Sequence, residues 1–193
     1  MESAASLEHR LAVRIKDLRT RRNLSLEQLA QLSGVSRSMI SLIERAEASP
    51  TANVLDRLAA SLGVTLAALF TDDTSADATP LARHADQLLW RDPETGYVRR
   101  NLSPAGYPSP IELVEVVLPP RARVAYDAGA RASIVQQQVW LIEGALEITL
   151  GDAVHRLAPG DCLAMQVDRP IVFRNPGRTR SRHLVALTSE ATR

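Results

Sequence analysis

The 193-residue sequence predicts two domains of opposite class, an all-α domain followed by an all-β one. Three observations carry this expectation. From about residue 8 to residue 70, apolar residues recur at helical spacing, with capping residues between the runs. Residues 71–80 (Thr-Asp-Asp-Thr-Ser-Ala-Asp-Ala-Thr-Pro) then lose that period and become small, acidic and polar, the composition of a linker. Beyond Pro80, short runs rich in Val, Ile and Leu alternate with turn residues, as in a sandwich or barrel of many strands. The expected bounds are 8–70 for the first domain, 71–80 for the linker and 81–193 for the second.

An amphipathic helix is expected from about Leu7 to Arg22, with Leu11, Ile15 and Leu18 on its apolar side. Ser25 is a good N-cap and Gln28 completes a capping box, starting a second helix with Leu26, Leu29, Ala30 and Leu32 as its apolar stripe. Gly34 falls where the chain needs positive φ after a helix end, and Val35 plugs the corner. Ser36 caps a third helix whose Met39, Ile40 and Ile43 face inward, leaving Arg37, Ser38, Ser41 and Leu42 outward. A fourth helix is expected over Thr51–Leu62 and a fifth over Thr65–Phe70, punctuated by Pro50 and Gly63. Two short helices joined by a tight turn, the second starting with an arginine and small polar groups, place one helix in the major groove of DNA. The plainer reading is a helical hairpin with a solvated face, which leaves the agreement of caps, turn glycine and outward side chains unexplained.

Residues 8–70 resemble the phage-repressor (Xre) type of DNA-binding domain through Leu29-Ala30, Gly34-Val35-Ser36, Ile40, Ile43-Glu44, Ser49-Pro50 and Leu62-Gly63-Val64. The resemblance implies that Arg37, Ser38, Ser41 and Leu42 occupy base-reading positions. There Arg37 would contact guanine and Leu42 a thymine methyl. It implies a phosphate contact for Arg45 and a structural ion pair between Arg19 and Glu44. Leu26 stands where the family often has a phosphate-binding glutamine; Ser25 and backbone N–H groups are the substitutes available.

Charge distribution agrees with a nucleic-acid partner better than total charge does. The chain is only +1 overall. Residues 8–45, however, carry Arg10, Arg14, Lys16, Arg19, Arg21, Arg22, Arg37 and Arg45 against Glu8, Asp17, Glu27 and Glu44. A modest local excess suffices when helix termini are oriented and two copies bind together. Cys162 is the sole cysteine, so neither an intrachain disulfide nor a cysteine metal cluster can form. With no signal-like or membrane-spanning apolar run, a soluble cytoplasmic protein with no membrane partner is expected.

In the second domain, strands are expected at 96–102, 111–118, 134–143, 145–150, 153–157, 161–167, 171–174 and 183–187. Val139-Trp140-Leu141-Ile142-Glu143-Gly144-Ala145-Leu146-Glu147-Ile148, Leu157-Ala158-Pro159-Gly160-Asp161 and Phe173-Arg174-Asn175-Pro176 resemble the core of a cupin, a small double-sheet β-barrel. Cupins often hold a metal on three histidines and a glutamate. The resemblance puts Arg131, Ser133, Gln137 and Ile171 at those positions, none of which supplies such a ligand. His9, His84, His155 and His183 lack ligand spacing. No metal or other cofactor and no catalytic residue is therefore expected.

Strand alternation puts Ser133, Val135, Gln137, Val139 and Leu141 on the interior face and Trp140 on the opposite one. One of the adjacent Arg99 and Arg100 should point inward, to meet a carboxylate or phosphate ligand, pair with an internal acid or lie at the mouth. Tyr97 and Tyr107 are candidates for lining an opening. The leading expectation is a homodimeric, non-enzymatic regulator that binds a double-stranded operator and senses a small organic effector, with dimer contacts after Pro80. The alternatives are a metal-dependent cupin enzyme with a DNA-binding head, and an antitoxin or scaffold whose barrel only dimerises.

Overall fold

The computed structural model describes residues 4–71, 78–127 and 133–191. The N-terminal head contains α1 (Ala4–Arg21), α2 (Leu26–Ser33), α3 (Arg37–Glu44) and α4 (Ala52–Ser61). The capping box forms as the sequence dictates: Gln28 N donates to Ser25 Oγ at 3.1 Å, and Ser25 N donates to Gln28 Oε1 at 2.8 Å. Gly34 ends α2 at φ 64°, in the left-handed region. Leu11, Ile15, Leu29, Ile40, Ile43, Leu55 and Leu58 are buried together, each contributing about 1.5–3 kcal/mol of transfer free energy. Val35 is buried in the corner, where the sequence placed it.

Three expectations for the head need correction. The fifth helix is a single 3-10 turn, Ala67–Phe70, since four residues are too few to propagate an α-helix. Met39 is 37% exposed, because a 100° step separates it from Ile40, which takes the inward position. Leu32 is exposed as well, and the buried side of α2 runs through Leu29 and Ser33, an i,i+4 pair.

The C-terminal half is a barrel of two antiparallel sheets. One sheet has the order β1-β2-β3-β10-β5-β8 and the other β4-β9-β6-β7. The strands are β1 (Leu89–Arg91), β2 (Val98–Asn101), β3 (Glu112–Leu118), β4 (Arg123–Tyr126) and β5 (Ser133–Glu143), followed by β6 (Leu146–Leu150), β7 (Ala153–Leu157), β8 (Cys162–Gln166), β9 (Ile171–Arg174) and β10 (Ser181–Ala191). Strands β1 and β4 are additional to those expected. At Gly144, φ is 86° and a Cβ would lie 2.6 Å from the Arg180 carbonyl oxygen, so the β5–β6 turn admits only glycine. Asn175 is fully buried, and its Nδ2 donates to the carbonyls of Leu118, Pro119 and Thr179, pinning the chain between β9 and β10.

Head and barrel share one continuous apolar core. Phe70 packs on Trp90 with ring centroids 5.7 Å apart, and Trp90 meets Tyr97 edge-on at 5.6 Å. Asp92, buried in the β1–β2 turn, accepts from the Ala52 N–H through Oδ1 at 2.9 Å. A carboxylate of the barrel thus caps the N-terminus of α4, where the helix dipole favours negative charge. Asn101 Nδ2 donates to the Ala67 carbonyl at 3.3 Å, and Thr65 Oγ1 lies 2.9 Å from both Glu112 carboxylate oxygens. The two halves are held by packing as well as by the segment between them.

Candidate functional site

Two surfaces of the molecule carry recognisable chemistry, and α4 lies against both. The first is the start of α3. Ser36 Oγ accepts from Met39 N at 3.2 Å, and the capped helix leaves Arg37 and Ser38 exposed with Ser41 and Leu42 half-buried beside them. Arg45 sits at the C-cap of α3, exposed, with Nη2 on Glu47 at 2.8 Å and Nη1 on Ser41 Oγ at 3.3 Å. Ser25 is exposed and engaged in the capping box. Beneath this face, Arg19 Nε and Nη2 donate to Glu44 Oε1 and Oε2 at 2.6 and 2.8 Å, bracing α1 against α3. On α4, Arg57 Nε donates to the Ser33 carbonyl at 2.8 Å. A Cβ at Gly34 would collide with Arg57 Nη2, so α4 grips the turn that leads into α3.

The second surface is internal. A cavity of about 90 Å³ opens inside the barrel, walled mainly by Leu118, Val124, Val135, Ile171, Phe173 and Leu187. One water needs roughly 10–15 Å³ of such space, so a small organic molecule is admitted. Its polar lining includes Arg99, Gln137, His183, Tyr97 and Tyr126 from the barrel, with Asp56 and Thr65 from the head. The inner-face ladder places Arg99 on β2 opposite Val116 on β3, which is opposite His183 on β10. At about 4.8 Å per strand, the Arg99 and His183 backbones are about 10 Å apart across the sheet.

The electrostatics of the cavity are unusual. Arg99 is 6% exposed, and its Nε and Nη2 atoms have no hydrogen-bond partner. His183 is buried against Phe173, rings parallel and centroids 5.9 Å apart, with Nδ1 unpartnered. Burial lowers its pKa to about 3, so the imidazole is neutral at physiological pH. Tyr97 and Tyr126 hydroxyls lie 3.2 Å apart. Burial raises both phenol pKa values, and the Arg99 guanidinium opposes the rise at each. Burial also raises the pKa of Glu112, against the Thr65 hydrogen bond and the charge of Arg99.

The sequence-predicted residues sort as follows. Gln137 and Ile171 line the cavity, and Arg99 is the inward member of its pair. Arg100 is corrected to an outward position, where it pairs with Glu115 at 3.5 Å because adjacent strand residues face opposite ways. Tyr107 is likewise corrected: it lies exposed on the loop before β3, away from the cavity that Tyr97 lines. Arg131 lies outside the described residues, as does the side chain of Ser133. Sequence reasoning missed Asp56, Thr65 and Tyr126 and gave His183 no role. An acid inside the apolar run Val54–Leu58 was the available signal for Asp56.

The metal implied by a cupin does not fit this donor set. Gln137 and Ile171 line the cavity where the resemblance puts ligands, and the cavity also holds a guanidinium, which repels a divalent cation. Among the described residues no group of three His, Cys, Asp or Glu side chains is placed to hold a metal ion. None of their helices is long and apolar enough to cross a membrane.

Residues 15–69 match the helix-turn-helix family HTH_3. The chain is 39% identical over 66 residues to the HTH-type transcriptional regulator SutR of Escherichia coli K12, covering 34% of this chain and 37% of that protein. It is 30% identical over 76 residues to the HTH-type transcriptional regulator PuuR of the same organism, covering 39% of this chain and 41% of that one. The matches thus span well under half of these curated relatives. A solved structure of an HTH_3 family transcriptional regulator from Vibrio cholerae aligns over 96% of this chain and 98% of its own, with TM-score 0.76 and 23% identity. The fold is therefore shared along both halves. Residues 15–69 thus carry the HTH_3 helix-turn-helix pattern, here joined to a barrel of two antiparallel sheets.

Proposed function

We propose that the chain is a DNA-binding transcriptional regulator, rather than an enzyme, that acts as a homodimer and senses a small organic molecule in its barrel without a metal. The observation that carries this reading is the polar, outward start of α3, backed by the part-buried Arg19–Glu44 pair and gripped through Arg57 by a helix that also walls the cavity. Arg37 reads a base, with Ser38, Ser41 and Leu42 beside it, while Arg45 and Ser25 meet phosphates. One such helix covers only a few base pairs, so two heads on half-sites about 34 Å apart are needed. The outer face of β5, with Trp140 47% exposed and Ile134 exposed near the sheet-edge strand β8, supports dimer contacts through the barrel. Gln137 lies where an effector's polar group would reach it, with Arg131 and Ser133 expected nearby from the resemblance.

The test begins with unbiased selection of an operator by the full chain. Arg37→Ala is then expected to cost about 1–3 kcal/mol at the selected site and to relax preference at one base pair. Arg45→Ala should weaken binding to every sequence and reduce its salt dependence. Unchanged affinity and preference in Arg37→Ala would sink the assignment of the reading face.

A further inference from the structure

A guanidinium has two N–H groups, on Nε and Nη2, that point the same way and form a fork matching a carboxylate. This protein uses that edge twice on its own carboxylates. Arg19 holds Glu44 through Nε and Nη2 at 2.6 and 2.8 Å, and Arg169 holds Asp168 through the same atoms at 2.7 and 3.1 Å. Arg99 presents the identical edge inside the barrel with neither donor partnered. The nearby Glu112 carboxylate does not fill it, being taken up by Thr65. A buried, charged fork without an acceptor is costly unless something occupies it.

We propose that the cavity takes a small monocarboxylate with an apolar body, its two oxygens on Arg99 Nε and Nη2, and that the head registers the ligand directly at α4. The chemical class follows from the lining. One cationic fork meets a wall of Val, Leu, Ile and Phe, which suits a hydrocarbon acid and leaves an inorganic oxyanion poorly solvated. The direct readout follows from Asp56. It is buried on α4 at the same cavity, and its negative charge raises the pKa of Tyr126 there. Thr65 of the head lines the cavity too, so a molecule seated on Arg99 touches the head's share of the wall and binds with different affinity where α4 sits differently. That difference is what a ligand needs to shift a conformational equilibrium. Arg57, one residue along, ties α4 to the turn before α3.

The inference rests on the sensor reading above, and the experiment separates the two. The full chain is titrated calorimetrically with sodium propionate, butyrate and benzoate and with the matching neutral amides. At least one acid is expected to bind in the millimolar range or tighter, and no amide. Arg99→Met should abolish binding, and Arg99→Lys, which keeps the charge without the fork, should weaken it by roughly tenfold or more. Hydrogen exchange at residues 52–61 should change on saturation with the acid. Failure of every acid to bind, equal binding by the amides, full binding by Arg99→Met or Arg99→Lys, or unchanged exchange in α4 would each overturn the proposal. Carboxylate binding with altered α4 exchange but no change in operator affinity would uphold it while refuting the sensor reading.

Discussion

Two buried arginines, one in each half of the molecule, are treated in opposite ways. In the head, Arg19 is fully engaged, with Glu44 on one edge and the Leu24 carbonyl at 2.8 Å from Nη1. In the barrel, Arg99 is buried more deeply yet left with its carboxylate-binding edge open, beside a histidine whose Nδ1 is also unpartnered. A satisfied buried charge fixes one arrangement of helices. An unsatisfied one marks a place where stability is given up for an occupant that comes and goes. The head is built to hold a shape and the barrel cavity to lack something.

The sharpest way to break that contrast is to remove the head's acceptor. Glu44→Ala strands Arg19 between α1 and α3, and urea denaturation should register a loss of roughly 3 kcal/mol. A loss below about 1 kcal/mol would mean that the pair is no more structural than an exposed one. The second expectation concerns His183. The folded chain holds it neutral down to about pH 3, whereas the unfolded chain takes up its proton near pH 6.5. The stability it contributes is therefore fully present above about pH 6.5 and lost as pH falls from there towards 3. Its share of the slope is at most about 1.4 kcal/mol per pH unit. Other groups of the cavity titrate too, so the measurement is a difference: His183→Phe should flatten the stability–pH curve in that window. An unchanged curve would show that burial does not control this imidazole. The smallest effect has the opposite sign. In the absence of ligand, Arg99→Met should raise the urea midpoint, by about 1 kcal/mol in free energy, because an uncompensated buried charge is replaced by an apolar side chain. A clear loss would place Arg99 with Arg19, among the residues that hold the fold.

Much of the head was legible because its signals are local. Ser25 and Gln28 meet three residues apart, Gly34 sits one turn residue from Ser36, and Ile40 and Ile43 repeat at helical spacing. The barrel's long strands were legible for the same reason, through alternation in β5 that sends Val135, Gln137, Val139 and Leu141 inward. Strands β1 and β4 were not, since three or four residues are too few for a period-two pattern to stand out from their turns. The cavity was half legible. Gln137, Ile171 and an inward arginine followed from parity and motif, but the head's share of the wall did not. Asp56 and Thr65 reach the cavity only because two domains pack on each other, and that is decided by contacts dozens of residues apart in sequence, such as Phe70 on Trp90. The tether between the halves, legible in composition, carried no hint of that docking.

Modules strung on a tether are commonly thought interchangeable, and Asp92 argues that these are not. The first amide of α4 is completed by a side chain that belongs to the other half of the chain. A recombination that swapped the barrel at residues 71–80 would transplant every helix of the head, with Thr51 still capping α4, and yet leave the Ala52 amide without its acceptor. The donor barrel would need an acid at the matching place in its own β1–β2 turn. A change at that turn is therefore felt at the helix that grips Ser33.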